Sequence, residues 1–139
     1  MLNVLFVSFF GAGSSFFGAS VPGSGGIGGK LGAFGTINYK EDPTWEKTVF
    51  KLTEGRGVDH VIEVGGAGTL GKSLASVSAG GHIALIGVLT GFGPPSESLF
   101  PLVGKNTDMS GIYVGSRADF EAMRRALTRE GLGPEEVLA

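Results

Sequence analysis

The sequence predicts an α/β protein: a doubly wound parallel sheet, incomplete because its first βαβ unit is largely missing. Three observations carry this expectation. Strand-like and helix-like segments alternate from Thr36 onward, which is the pattern of parallel strands joined by crossover helices. Residues 57–88, GVDHVIEVGGAGTLGKSLASVSAGGHIALIGV, read as one strand–helix–strand unit with glycine where each strand ends. Within it, residues 82–88 are almost continuously apolar, as a strand covered on both faces requires.

Each element has a local reason. Residues 36–39 (TINY) form a short strand. Asp42-Pro43 opens a helix, with Asp as N-cap and Pro at the first helical position, where its missing N–H costs nothing. Trp45, Val49 and Leu52 give that helix one apolar stripe, and Gly55 and Gly57 end it. Residues 60–64 are the next strand. Leu70, Leu74 and Val77 repeat the helical spacing until Gly80-Gly81 stops it. Residues 91–108 are looser, with Pro94, Pro95 and Pro101, and 99–103 form a short helical turn. Residues 109–114 are another strand. Ser116-Arg117-Ala118-Asp119 resembles a capping box with Asp in place of Glu or Gln. Phe120, Met123 and Leu127 supply the following helix with a buried stripe.

Composition narrows the function. The chain has 139 residues, 42% hydrophobic and 17% charged, enough for one modest domain and too apolar for disorder. Its net charge of -2 gives no electrostatic case for nucleic acid or an anionic membrane surface. The absence of cysteine removes disulfides, thiolate chemistry and cysteine-ligated zinc. The 26 glycines have no collagen-like period and read as turns and close backbone approaches.

Residues 1–29 have a different character from residues 30–139: no charged side chain precedes Lys30. Four readings stay open. A secretory signal lacks its positive n-region. A membrane helix approaches the ~20 residues needed to span, but Phe9, Phe10, Phe16 and Phe17 stand among helix-weakening glycines and serines. The favoured alternatives are a buried strand over 3–10 with a Gly-rich turn, or a stretch from a misassigned start or retained non-coding sequence. The expected compartment is cytoplasmic, with secretion or anchoring left open by this segment.

The glycines are the candidate ligand contacts. Gly11-Ala12-Gly13 follows a strand-like run, and Gly23-Ser24-Gly25-Gly26-Ile27-Gly28 fits G-x-G-x-x-G with one extra glycine. Such loops let a backbone approach a pyrophosphate at a helix N-terminus. Here the following helix and the acidic residue ~20 positions on are missing. Gly65-Gly66, Gly87-Val88 and Val114-Gly115 stand at strand carboxyl ends, where open α/β sheets bind ligands; strand-to-loop turns with positive φ are the structural alternative. Arg117 offers a phosphate-matching guanidinium or is a solvated helix residue. His60 and His82 lie inside strands, and no catalytic acid, base or metal-ligand set is visible.

The segments LGAFGTINYKEDPTWEK, LTEGRGVDHVIEVGGAGTL, SLASVSAGGHIALIGVLTG and GIYVGSRADFEAM resemble the cofactor-binding domain of medium-chain dehydrogenases/reductases, the zinc-type alcohol dehydrogenase-like and quinone reductase-related group. The resemblance covers roughly residues 30–130. It implies a Rossmann-like domain of strand order 3-2-1-4-5-6, in which 36–39, 60–64, 82–88 and 109–114 are strands three to six. It implies NAD or NADP as cofactor and often catalytic zinc. Dimers or tetramers are common in the family, so a homodimer is expected. The implied cofactor contacts are Gly23, Gly25, Gly26 and Gly28, then Gly65 and Gly66, Gly87 and Val88, and Tyr113, Val114 and Gly115, with the nicotinamide near the ends of strands five and six. The family's catalytic domain, with its zinc ligands, has no counterpart in this sequence, and neither do the first helix, second strand and second helix. Residues 3–10 are the one segment fitted to the first strand position, and none fits the second. The chain is therefore expected not to catalyse hydride transfer alone, and nicotinamide dinucleotide is the partner that the resemblance implies. The alternatives are a residual nucleotide-binding or dimerisation module, or a truncated gene product without function of its own.

Overall fold

The structure is a computed structural model, and it describes residues 4–10, 13–19, 33–39, 41–94 and 97–129. The strands are β1 (Val4–Phe10), β2 (Gly13–Ala19), β3 (Ala33–Ile37), β4 (Val58–Glu63), β5 (Val77–Leu85) and β6 (Asp108–Gly111). The helices are α1 (Trp45–Leu52), α2 (Leu70–Ser76), α3 (Phe100–Gly104) and α4 (Arg117–Arg129). The strands join one six-stranded sheet in the order β3-β2-β1-β4-β5-β6. Neighbours β4, β5 and β6 run parallel, as do β2 and β3. β1 runs against both its neighbours, with Phe10 opposite Gly13 of β2 and Phe6 opposite Val61 of β4. The expected α/β class and Rossmann-like sheet are thus present.

The second position of the sheet, expected to stand empty, is filled. β2 folds back beside β1 and separates it from β3. An antiparallel return needs only a short connection, here residues 11 and 12, whereas a parallel return needs a crossover of about a dozen residues or more. The hairpin closes the gap at the expense of reversing β1.

The core is built from Ile37, Trp45, Val49, Val58, Val61, Leu70, Leu74, Val77 and Ile83. Helices α1 and α2 lie against each other and against β3, β4 and β5. Helix α1 starts later than the sequence suggests. Asp42 stands outside it, and Pro43 precedes rather than occupies the first turn. The Asp42 carboxylate accepts hydrogen bonds from Thr48 Oγ1 (2.5 Å), Thr44 N (3.0 Å) and Thr44 Oγ1 (3.1 Å). The Thr48 bond foremost holds the carboxyl below its ordinary 3.8. Trp45 and Val49 are buried as expected, while Leu52 is exposed because α1 ends there.

Helix α2 stops at Ser76 and not at Gly80-Gly81, and Val77 enters β5 directly with ψ 144°. The reason lies far along the chain. Lys105 Nζ donates to the carbonyls of Ala75 (2.5 Å), Val77 (2.8 Å) and Leu74 (3.2 Å). These groups end a helix without intrahelical partners. Gly80 instead lies within β5 at φ +72°, and its N–H bonds to Lys105 O at 2.8 Å. Strands β5 and β6 both end three residues earlier than expected, so 86–88 and 112–114 are loop. The capping box at 116–119 forms as expected: Asp119 Oδ2 accepts from Ser116 N (2.8 Å) and Ser116 Oγ (2.7 Å), and Asp119 N donates to Ser116 Oγ (3.2 Å). The apolar stripe of α4 is not buried. Phe120 and Met123 are 56% and 50% exposed, because no other described element packs closely across that face. Among the described residues no helix is long and apolar enough to cross a membrane.

Candidate functional site

The carboxyl ends of β4 and β5 are organised by Glu63, the last residue of β4 and fully buried. A buried charge is costly unless its oxygens are hydrogen-bonded, and here they are. Oε1 accepts from Gly65 N (2.7 Å), Thr69 Oγ1 (2.7 Å) and Gly66 N (3.1 Å). Oε2 accepts from Ser73 Oγ on α2. The Glu63 main-chain carbonyl accepts from Ile86 N (2.8 Å) and Gly87 N (3.1 Å), which fastens the end of β5 to the end of β4.

Thr90 makes the second tie. Its N–H and Oγ1 both donate to Gly65 O at 2.8 Å, and its Oγ1 accepts from Gly68 N at 2.8 Å. The glycines allow this closeness. Gly66 has φ +83°, and a Cβ there would lie 2.8 Å from Val88 Cα. A Cβ on Gly87 would overlap the Val64 backbone. The structure therefore brings Gly65, Gly66, Gly87 and Val88 together, backbone against backbone.

The loop after β6 begins beside them, since Ile112 N donates to Leu85 O at 2.9 Å. Tyr113, Val114 and Gly115 then run out into solvent, with Tyr113 97% exposed. Arg117 is also exposed, and its Nε pairs with Glu121 Oε1 at 2.8 Å. That partner stands four residues on along the same helix. Gly23, Gly25, Gly26 and Gly28, together with Gly11, lie outside the described residues. Among the described residues no group of three His, Asp or Glu side chains is placed to hold a metal ion. A shallow cavity of about 450 Å³ lies along α4, lined by Glu121, Arg124, Arg125, Thr128 and Arg129, and no strand-end residue lines it.

Sequence reasoning found the glycines and missed Glu63, Thr69, Ser73 and Thr90. A signal was there: an acidic residue ending an apolar strand, followed at once by glycines and then by hydroxyls on the first turns of a helix. Such a carboxylate has no route to water and must take its partners from that loop and helix.

Residues 19–129 match the family model for zinc-binding dehydrogenases. The chain belongs to this family. It is 38% identical over 109 residues to a zinc-type alcohol dehydrogenase-like protein of Schizosaccharomyces pombe, covering 76% of this chain and 31% of the relative. A second relative, from Leptosphaeria maculans, is 35% identical over 108 residues, covering 76% and 30%. The chain thus spans about a third of the length of the relatives it matches. Among solved structures, one assigned as an alcohol dehydrogenase from Sinorhizobium meliloti superposes with TM-score 0.70 at 41% identity, over 84% of this chain and 33% of that one. A mycobacterial protein solved with NADPH superposes with TM-score 0.58 at 30% identity, over 68% and 30%. The match thus covers the part of these relatives that corresponds to their cofactor-binding domain.

Proposed function

We propose that the carboxyl ends of β4, β5 and β6 hold a nicotinamide dinucleotide, and that this chain acts as the cofactor-binding part of an NAD(P)-dependent dehydrogenase or reductase. The observation that carries the reading is the joined pair of strand-end loops at Gly65–Gly66 and Gly87–Val88. They are fixed by Glu63 and Thr90, and Val88 on the junction and Ile112, which bonds to Leu85 O at the end of β5, both carry exposed side chains. Such a surface fits a planar, largely uncharged ring system better than an isolated anion. When bound, NAD or NADP supplies or accepts the hydride. This chain's residues bind and orient it, and Gly23–Gly28 is the proposed pyrophosphate loop.

Substrate contacts and hydride transfer are assigned to the remaining two thirds of a full-length relative. Purified chain is expected to give no NADPH oxidation with alcohol, aldehyde or quinone substrates; sustained turnover by the chain alone would overturn that part. In isotope-labelled protein, NADPH is expected to shift the amide resonances of Val88, Tyr113, Val114 and Gly115. A second reading, a dimerisation module, is favoured by the uncovered Phe120 and Met123 of α4. Light scattering after chromatography, on wild type and Phe120→Ser, separates the two readings.

A further inference from the structure

We infer that Glu63 is a positioning residue that locks the loop after β4 and closes it to anions. The cofactor part of this inference rests on the proposed function above; the closure to anions does not.

The inference comes from where the loop's hydrogen-bonding groups go. A glycine-rich turn between a strand and a helix binds phosphate by aiming free backbone N–H groups at it. Here the N–H groups of Gly65 and Gly66 both point at Glu63 Oε1. Those of Gly68, Thr69 and Leu70 are taken by Thr90 Oγ1 and by Gly66 O. Across the junction, the N–H groups of Ile86, Gly87, Leu89 and Thr90 bond to Glu63 O, Val64 O and Gly65 O. The space that an anion would fill is filled by the chain's own carboxylate. That carboxylate reaches six residues ahead to Thr69 and ten ahead to Ser73 on α2. It ties the loop to the helix as one rigid body. What the loop offers a ligand at Gly65 and Gly66 is therefore backbone whose N–H groups are already taken, held in place by the buried Glu63 side chain.

The test uses the whole chain and three readouts: NADPH affinity by fluorescence, amide hydrogen exchange at Gly65 and Gly66, and the shift of those amides with inorganic pyrophosphate. Wild type should show slow exchange and no movement with millimolar pyrophosphate. Glu63→Ala should accelerate exchange at both glycines by about tenfold or more and weaken NADPH by about tenfold. Glu63→Gln keeps one acceptor oxygen and an N–H₂ that Ser73 Oγ accepts, and should restore most of both. If Glu63→Ala does not fold, Thr69→Val carries the test: it should speed exchange and weaken NADPH several-fold, with Thr69→Ser restoring both. A purely structural role would lower the melting temperature and leave affinity unchanged in the folded variants, which overturns the inference. So would pyrophosphate moving the Gly65 and Gly66 amides of wild type. Slow exchange without NADPH binding by wild type would sink the cofactor reading and leave the locked loop standing.

Discussion

Lys105 ends α2 with hydrogen bonds to Leu74, Ala75 and Val77 carbonyls, although its neighbours in sequence are on α3 and β6. A single residue's reach across the fold is what local patterning leaves out, and it is why the helix ends at Ser76 and not at Gly80-Gly81. Lys105→Met keeps the stem and removes the donors, and is expected to cost about 1 kcal/mol in urea unfolding, a value reduced for partial solvation. Burial pushes the Lys105 amine below its ordinary 10.5. Between the depressed value and 10.5 the unfolded chain therefore holds the proton more tightly, and stability from this group rises with pH across that window. The variant should lose that alkaline rise. The glycines at 66 and 87 were legible as special positions, and the structure gives them a packing reason. Gly66→Ala places a methyl against Val88 at φ +83° and is expected to destabilise by about 1–3 kcal/mol. Gly80→Ala meets open space and should cost only about 1 kcal/mol for its positive φ. Equal losses at the two sites in thermal melts would contradict this packing.

Elements were legible where their signals are local. The capping box at Ser116 and Asp119 needs only four consecutive residues, and it forms. The Ser116 hydroxyl, then its N–H, holds the Asp119 carboxyl below its ordinary 3.8. A depressed carboxylate contributes stability that is present above 3.8 and is lost as pH falls through the depressed value. The first turn of α4 should thus loosen only in acid. Resonances of Asp119 followed against pH should titrate below 3.8 in wild type and move back toward it in Ser116→Ala; an unmoved midpoint would contradict the assignment. The stripe of Phe120, Met123 and Leu127 shows the limit of periodicity. It identifies a face suited to burial and says nothing about whether a partner lies within the described residues. The ends of β5 and β6 were overextended for a related reason, since Ile86, Val88 and Val114 are apolar yet exposed.

At the scale of the whole molecule, alternation predicted the class, the family resemblance implied the order of strands three to six, and the sheet has that order. The hairpin of β1 and β2 was not legible, because the apolar run of residues 1–29 fits several structures and only the pairing registers distinguish them. That hairpin covers the edges of both β3 and β4. Removing residues 1–19 should uncover two strand edges and shift the protein into large species on size-exclusion chromatography; a deletion variant that elutes like the full chain would show the hairpin to be dispensable. The proposed cofactor binding belongs to the carboxyl ends of β4, β5 and β6. It is tested most directly by titrating the purified chain with NADH and NADPH while following cofactor fluorescence and the thermal melt. Saturable binding of at least one cofactor, with a melting temperature that climbs with its concentration, is the expected result. A cooperative melt that neither cofactor shifts, with no saturable fluorescence change, would show that these strand ends hold no nicotinamide dinucleotide.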